Sequence, residues 1–358
     1  MLPEEVSGKK ERQHRMDIRT HMKELCALPG VAGYEAPLSE RIAQLFAPYC
    51  RDVAVDNLLN TVGVMGQGGF KVLIAAHMDE VGLMVTSIEE DGFVGFTQMG
   101  GIDPRILPAQ EVTVYGRQPL YGVIGSRPPH VLSAEERKQA LALEDLYIDL
   151  GYPYERVKDL VQVGDPISFN APAVDLLGSR VASRALDDRM GVAVMLHAME
   201  ALQGRDLPLE AHFAATAQEE VGCRGSGVLA YGLAPDLAVV LDVTHGETPD
   251  APKLRAFDMD KVSIGWCPVT HNGWTGALRR VAEEAGIPYT LDIQEGDSST
   301  DVDSIVRAGR GTPCVLLEVP VRYMHTTVET MDYAVVEQAG DLLARFLLEA
   351  ARLGEVEV

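Results

Sequence analysis

Asp188-Arg189-Met190-Gly191-Val192-Ala193-Val194-Met195-Leu196-His197-Ala198-Met199-Glu200-Ala201-Leu202 and the two apolar runs that follow it, Glu210-Ala211-His212-Phe213-Ala214-Ala215-Thr216-Ala217 and Leu237-Ala238-Val239-Val240-Leu241-Asp242-Val243, set the architecture of the chain. The first is long, apolar and free of proline, as a packed helix is. The other two have the length of buried strands. The alternation continues through a helix over 275–286, a strand over 313–321 and a helix over 333–353. Strands alternating with helices imply an α/β fold, a mostly parallel sheet flanked by helices on both faces.

Upstream, a helix is expected near 17–28, ended by Pro29-Gly30. A second begins around Pro37, with Leu38, Ile42, Leu45 and Phe46 on one face. An extended stretch over 53–64, a Gly66-Gln67-Gly68-Gly69 turn and a buried strand over 71–76 come next. From about 84 to 178 the character changes to short alternating pieces broken by Gly and Pro, such as Glu111-Val112-Thr113-Val114-Tyr115, with one helical patch near 134–142. The economical division is a catalytic α/β domain over 16–83 and 179–358, interrupted by a β-rich insert over 84–178, with residues 1–15 as a flexible charged tail.

At 358 residues, the chain exceeds one typical domain of ~150 residues and suits about two. Its 31 basic and 53 acidic residues leave a net charge of −22. That balance argues against nucleic acid, whose phosphates need a basic face, and against an anionic membrane surface. No run approaches the ~20 apolar residues of a membrane span, and the charged start lacks the apolar core of a secretory signal. The five cysteines, Cys26, Cys50, Cys223, Cys267 and Cys314, are odd in number and form no CxxC pair. Reduced thiols and a cytoplasmic location follow as expectations. Cys223 lies beside an acidic pair but has no adjoining histidine, so a nucleophilic role is not expected.

The chemistry resides in five motifs that close apolar runs: Ala76-His77-Met78-Asp79-Glu80, Leu186-Asp187-Asp188-Arg189, Gln218-Glu219-Glu220-Val221-Gly222, Leu241-Asp242-Val243-Thr244 and Tyr323-Met324-His325. Imidazole and carboxylate suit zinc, cobalt or manganese. His77 and Asp79 are two apart at a strand end and can face the same way. A metal-bound imidazole needs a partner for its other nitrogen, so His77 reads as a ligand with Asp79 supporting it. One carboxylate can bridge two metals through its two oxygens, and Asp187 is assigned that place. Glu219 and Glu220 would be costly to bury side by side without cations. A hydrolase needs one carboxylate to hold a metal and another to take a proton from water, and neighbouring residues can do both. Asp242 and His325 recur at the same end of successive strands. His197, inside an apolar helix, reads as packed rather than ligating.

These motifs resemble the cytosolic TET-type aminopeptidases, the tetrahedral dinuclear-metal family that includes glutamyl and deblocking aminopeptidases. The resemblance runs from about Ile18 onward. It includes His77-Met78-Asp79-Glu80-Val81-Gly82-Leu83, Gly122-Val123-Ile124-Gly125-Ser126-Arg127-Pro128-Pro129-His130, Glu135-Glu136-Arg137-Lys138, Gln218-Glu219-Glu220-Val221-Gly222 and Val321-Arg322-Tyr323-Met324-His325. It implies two divalent metal ions per subunit, zinc first, with cobalt or manganese as alternatives. Asp187 bridges them, His77 and Asp242 complete one site, and Glu220 and His325 complete the other. Glu219 is then the general base of a metal-activated water, and peptides are the substrate. The resemblance also implies a small PDZ-like insert used in dimer contacts and a homo-oligomer, as dimers or a tetrahedral dodecamer. Two stretches, 257–268 and 297–302, depart from the family pattern and are expected to border the substrate pocket, so the preferred N-terminal residue is left open. A deacylase or amidase acting on N-acyl amino acids is the nearest rival, followed by a glycosidase and a non-catalytic scaffold.

Overall fold

The computed structural model describes residues 17–135, 141–249 and 256–354. The expected tail over 1–15 lies outside them. Helix α1 (Ile18–Ala27) starts where the Asp17 side chain accepts the Arg19 N–H at 3.2 Å, capping the first turn. Helix α2 (Ala36–Phe46) buries Leu38, Ile42, Leu45 and Phe46, the face predicted from their spacing. Strands β1 (Asp52–Val55), β2 (Thr61–Met65) and β3 (Lys71–His77) follow.

The chain then leaves for β4 (Gly82–Ile88), β5 (Val94–Met99), β6 (Glu111–Tyr115), β7 (Pro119–Ser126), β8 (Leu146–Asp149), α3 (Tyr154–Leu160) and β9 (Pro166–Phe169). The six strands close a barrel in the order β4-β5-β8-β7-β6-β9. The barrel has its own core of Leu83, Val85, Val94, Val112, Val114, Ile148 and Ile167. Helix α3 was not foreseen: its seven residues are too few for a 3.6-residue period to declare itself. Residues 136–140 of the expected helical patch lie outside the described residues. On either side of them the chain makes single 3₁₀ turns, at Pro129–Val131 and Leu143–Asp145.

The return contributes β10 (Val174–Asp175), β11 (Arg180–Ser183), α4 (Leu186–Leu202), β12 (Glu210–Thr216), α5 (Arg224–Leu233), β13 (Leu237–His245), β14 (Val262–Trp266), α6 (Asn272–Ala285), β15 (Tyr289–Ile293), α7 (Val302–Ile305), β16 (Cys314–Val321), β17 (Glu329–Asp332) and α8 (Tyr333–Leu353). Eight strands form one sheet, ordered β1-β2-β12-β3-β13-β16-β14-β15. Its centre, β12-β3-β13-β16, is parallel, whereas β2 joins antiparallel to β12 and β14 antiparallel to β16. The sheet is therefore mixed at its flanks and parallel where crossover helices connect it.

Alternate residues of the central strands point to opposite faces. Ile74, Val239, Leu241 and Leu317 pack with α4 and α8, through Val192, Met195, Leu343 and Leu347 among others. Leu73, Val240 and Leu316 pack with Ala230 of α5 and with Val302 and Ile305 of α7. Gly191 of α4 lies so close to β3 that a Cβ there would meet Ala76 Cβ at 2.7 Å and Asp188 Oδ2 at 2.6 Å. His197 is buried in α4 and pairs with Asp341 Oδ1 of α8 at 2.9 Å, a packed histidine as expected.

Candidate metal centre

The C-terminal ends of β3, β12, β13 and β16 lie together, the place where open α/β sheets hold their ligands. His77 is the last residue of β3, Glu219 and Glu220 follow β12, Asp242 lies on β13 and His325 follows β16. Asp187 arrives from the start of α4, where it and Asp188 depart from helical dihedrals before the helix proper begins.

Asp187 lies between the two histidines. Its Oδ1 is 3.0 Å from His77 Nε2, and its Oδ2 is 3.3 Å from His325 Nε2. Two overlapping sets of ligand-capable atoms share this carboxylate, His77–Asp187–Asp242 and Asp187–Glu220–His325, each within 4.8 Å. Glu220 Oε2 is 3.4 Å from His325 Nε2. Nitrogen and oxygen donors, mostly buried and grouped around one shared carboxylate, suit divalent ions of the zinc, cobalt or manganese type. The electrostatics point the same way. Burial, then the neighbouring carboxylates, pushes Asp242 and Glu220 well above the ordinary carboxylate range. A cation at their oxygens reverses that penalty.

The histidines are oriented from behind. His77 Nδ1 meets the Asp79 backbone carbonyl at 3.2 Å, with Asp79 Oδ1 at 3.6 Å. His325 Nδ1 meets the Gly101 carbonyl at 2.7 Å, a contact supplied by the loop after β5 of the barrel. Both arrangements leave Nε2 aimed inward. Asp79 also accepts the Glu219 N–H at Oδ1 (3.0 Å) and the Glu220 N–H at Oδ2 (3.2 Å). It thus holds the backbone of the acidic pair as well as standing behind His77. Burial raises Asp79 to about 6 and Glu219 to about 7. Glu219 Oε2 lies 4.0 Å from His77 Nε2, beside the shared centre.

Glu80 and Arg189, which flank the site motifs, serve structure. Arg184 and Arg189 both pair with the buried Glu80, and Arg189 donates to the carbonyls of Met78, Leu25 and Leu28. These bonds tie β3, α1 and α4 together behind the metal-capable side chains.

Sequence reasoning missed Glu329 and Glu35, and gave no role to Asp301 within the 297–302 stretch expected near the pocket. Glu329 of β17 accepts the Asp187 N–H at 3.2 Å and the His325 N–H at 2.8 Å, joining the shared carboxylate to the far histidine. Its spacing four residues after His325 is the only linear hint. Asp301 accepts Thr216 Oγ1 and Ser226 Oγ at 2.6 Å each, and forms a third close group with Glu219 and Cys223. Glu35 accepts the Gln218 N–H at 3.1 Å from a position far away in the chain. The backbone carries a sign of its own: Ala185, Gln218, Cys223, Tyr323 and His325 are non-glycine residues with φ of 56°, 60°, 50°, 61° and 59°. Such residues gather where surrounding structure enforces a functional geometry.

A parallel-centred sheet carrying two overlapping histidine–carboxylate groups at its strand ends defines a metallohydrolase of the α/β class. Residues 60–342 match the M42 glutamyl aminopeptidase family, and the chain belongs to it. It is a metal-dependent aminopeptidase, a hydrolase of peptide bonds. A putative aminopeptidase of Acetivibrio thermocellus is 34% identical over 91% of this chain and 97% of its own. Among solved structures, an aminopeptidase of the archaeon Desulfurococcus kamchatkensis has a TM-score of 0.88 at 32% identity, covering 95% of this chain and 98% of that one. The TET1 peptidase of Pyrococcus horikoshii, described as assembling into a tetrahedron or a large octahedral shell, has a TM-score of 0.83 at 30% identity over 93% of this chain and 100% of its own.

Proposed function

We propose that the chain removes residues from the free N-termini of peptides with Glu219 as general base. In this reading His77 and Asp242 hold one divalent ion, Glu220 and His325 hold a second, and Asp187 is shared. The observation that carries it is the Asp187 carboxylate, with one oxygen toward His77 and the other toward His325. Bound ions, zinc first and cobalt or manganese as alternatives, supply polarisation of the scissile carbonyl and acidification of a water.

The protein's own groups do the rest. Glu219 takes the water's proton and returns it to the leaving amine; its Oε2 lies beside the shared centre, 4.0 Å from His77 Nε2. Asp79 holds the Glu219 and Glu220 backbones and stands behind His77, so base and ligands keep one spacing. A free α-amino group would be held at the metal centre or by a nearby carboxylate, which favours exopeptidase action over hydrolysis of an N-acylated end.

The barrel insert, taken as a small PDZ-like β domain over residues 84–178, serves dimer contacts. The subunits associate further as in the tetrahedral relatives, and the enzyme works in the cytoplasm. Release of free amino acids from a mixed peptide panel, before and after chelation and after adding back zinc, cobalt or manganese, tests the reading. We expect stepwise release from free N-termini, lost on chelation and restored by metal. Hydrolysis confined to N-acyl amino acids would establish the deacylase instead.

A further inference from the structure

The turn that carries Glu219 closes on itself. The Gly222 and Cys223 N–H groups both donate to the Glu219 carbonyl, at 2.8 and 2.9 Å. Asn60 clamps the outside, accepting the Ala217 N–H at 2.9 Å and donating to the Gly225 carbonyl at 3.0 Å. This closure brings the side chain of Cys223 back over the Glu219 carboxylate, and its Sγ lies 3.2 Å from Glu219 Oε1. The other acceptor within reach is the Thr300 carbonyl, at 3.4 Å. A thiol has one proton to give, and a carboxylate is the stronger acceptor as well as the nearer one. Burial, then the Glu219 charge, pushes the thiol far above its ordinary range, so it stays a protonated donor.

Cys223 is also the residue before α5, held at φ 50° and ψ 45°. Glycine adopts this left-handed backbone at less cost. The position carries a side chain nonetheless, and that side chain meets the reacting group's carboxylate.

We propose that Cys223 is a positioning residue for the general base: its thiol fixes Glu219 Oε1 and leaves Oε2 directed at the metal-capable centre. This rests on the reading of Glu219 as base. The Asp79 contact restrains the Glu219 backbone, and the thiol restrains the other end of the side chain. Without it the carboxylate gains rotamers that point away from the water, and the chemical step slows while substrate binding is untouched.

The test uses the full-length, metal-loaded enzyme on a free peptide. Cys223→Ala removes the donor, Cys223→Gly removes it while easing the backbone, and Cys223→Ser keeps a donor. We expect kcat to fall about tenfold in the Ala and Gly variants, with KM within about twofold and metal content unchanged, and to recover within about twofold in the Ser variant. Three results would each overturn the proposal: unchanged kcat in the Gly variant, an equal fall in the Ser and Ala variants, or lost metal as the source of the defect. Glu219→Gln, assayed in parallel with metal content measured, separates the two readings. If it stays active the base assignment fails, whereas an inactive Gln variant beside a fully active Gly variant sinks only the thiol's role.

Discussion

Two aspects of the metal-capable centre are visible residue by residue: which side chains face inward, and what holds them there. Glu329 illustrates the second. It accepts backbone N–H groups of both Asp187 and His325, using one oxygen for each. Glu329→Gln keeps the shape but replaces one acceptor with a donor, setting an amide against an N–H. Partners of this kind commonly cost 10–100-fold in metal affinity when changed, and we expect a loss of that order. Competition with a chelator of known strength measures it; affinity equal to the wild type would show that the backbone contacts are dispensable. The motifs whose side chains meet at the strand ends were legible in the sequence because each joins a polar residue to the end of an apolar run. Glu329 was not, because its donors are backbone N–H groups 142 and 4 residues away. The Asp187–Glu329 contact does not exist until β17 lies beside the start of α4.

At the scale of elements, β16 joins the parallel centre to the antiparallel β14 and carries a buried acid. Glu318 is in register with Asp242 on one side and with Ser263 on the other. It accepts Ser263 Oγ at 3.0 Å and lies near Gln294. Burial, with Asp292 adding to it, pushes Glu318 well above the ordinary 4.5. The folded chain therefore keeps a proton that the unfolded chain releases. This contribution to stability is complete below pH 4.5 and is lost as pH rises through the raised folded value. Glu318→Gln has no charged form to bury. We expect it to match the wild type near pH 4 and to exceed it by a margin that grows as pH rises to 8. Denaturant midpoints at the two pH values decide this, and a difference that does not change with pH would count against it. The strand itself was readable from its apolar run. The antiparallel insertion of β14 beside it was not, because strand order depends on the crossover path rather than on local composition.

For the whole molecule, net charge and metal are linked. The sequence carries a charge of −22, and several of the acids meet at the strand ends of one sheet. Ions that bind the folded form and not the unfolded one stabilise it by mass action. We expect chelation to lower the melting temperature and to abolish peptide hydrolysis. Adding metal back should raise the melting temperature in step with its concentration. Calorimetry across a metal titration checks this, and a melting temperature indifferent to metal would remove the ions from the structural account. The barrel bears on the same centre through the Gly101 carbonyl at His325, so the insert is part of the site's architecture.

Local pattern was enough to read the α/β class, the β-rich interruption and the motifs of His77, Asp187, Glu219, Glu220, Asp242 and His325. Those depend on local period, chain length and residue chemistry, which a single strand of text contains. Only the tertiary structure decided that the insert closes as a barrel, that Asp187 divides its oxygens between two histidines and that Cys223 reaches the Glu219 carboxylate. These are distances between groups brought together by strand order, by left-handed backbone at Gln218, Cys223 and His325, and by packing between elements far apart in the chain. No local pattern encodes a distance of that kind, because it is set jointly by every element that lies between.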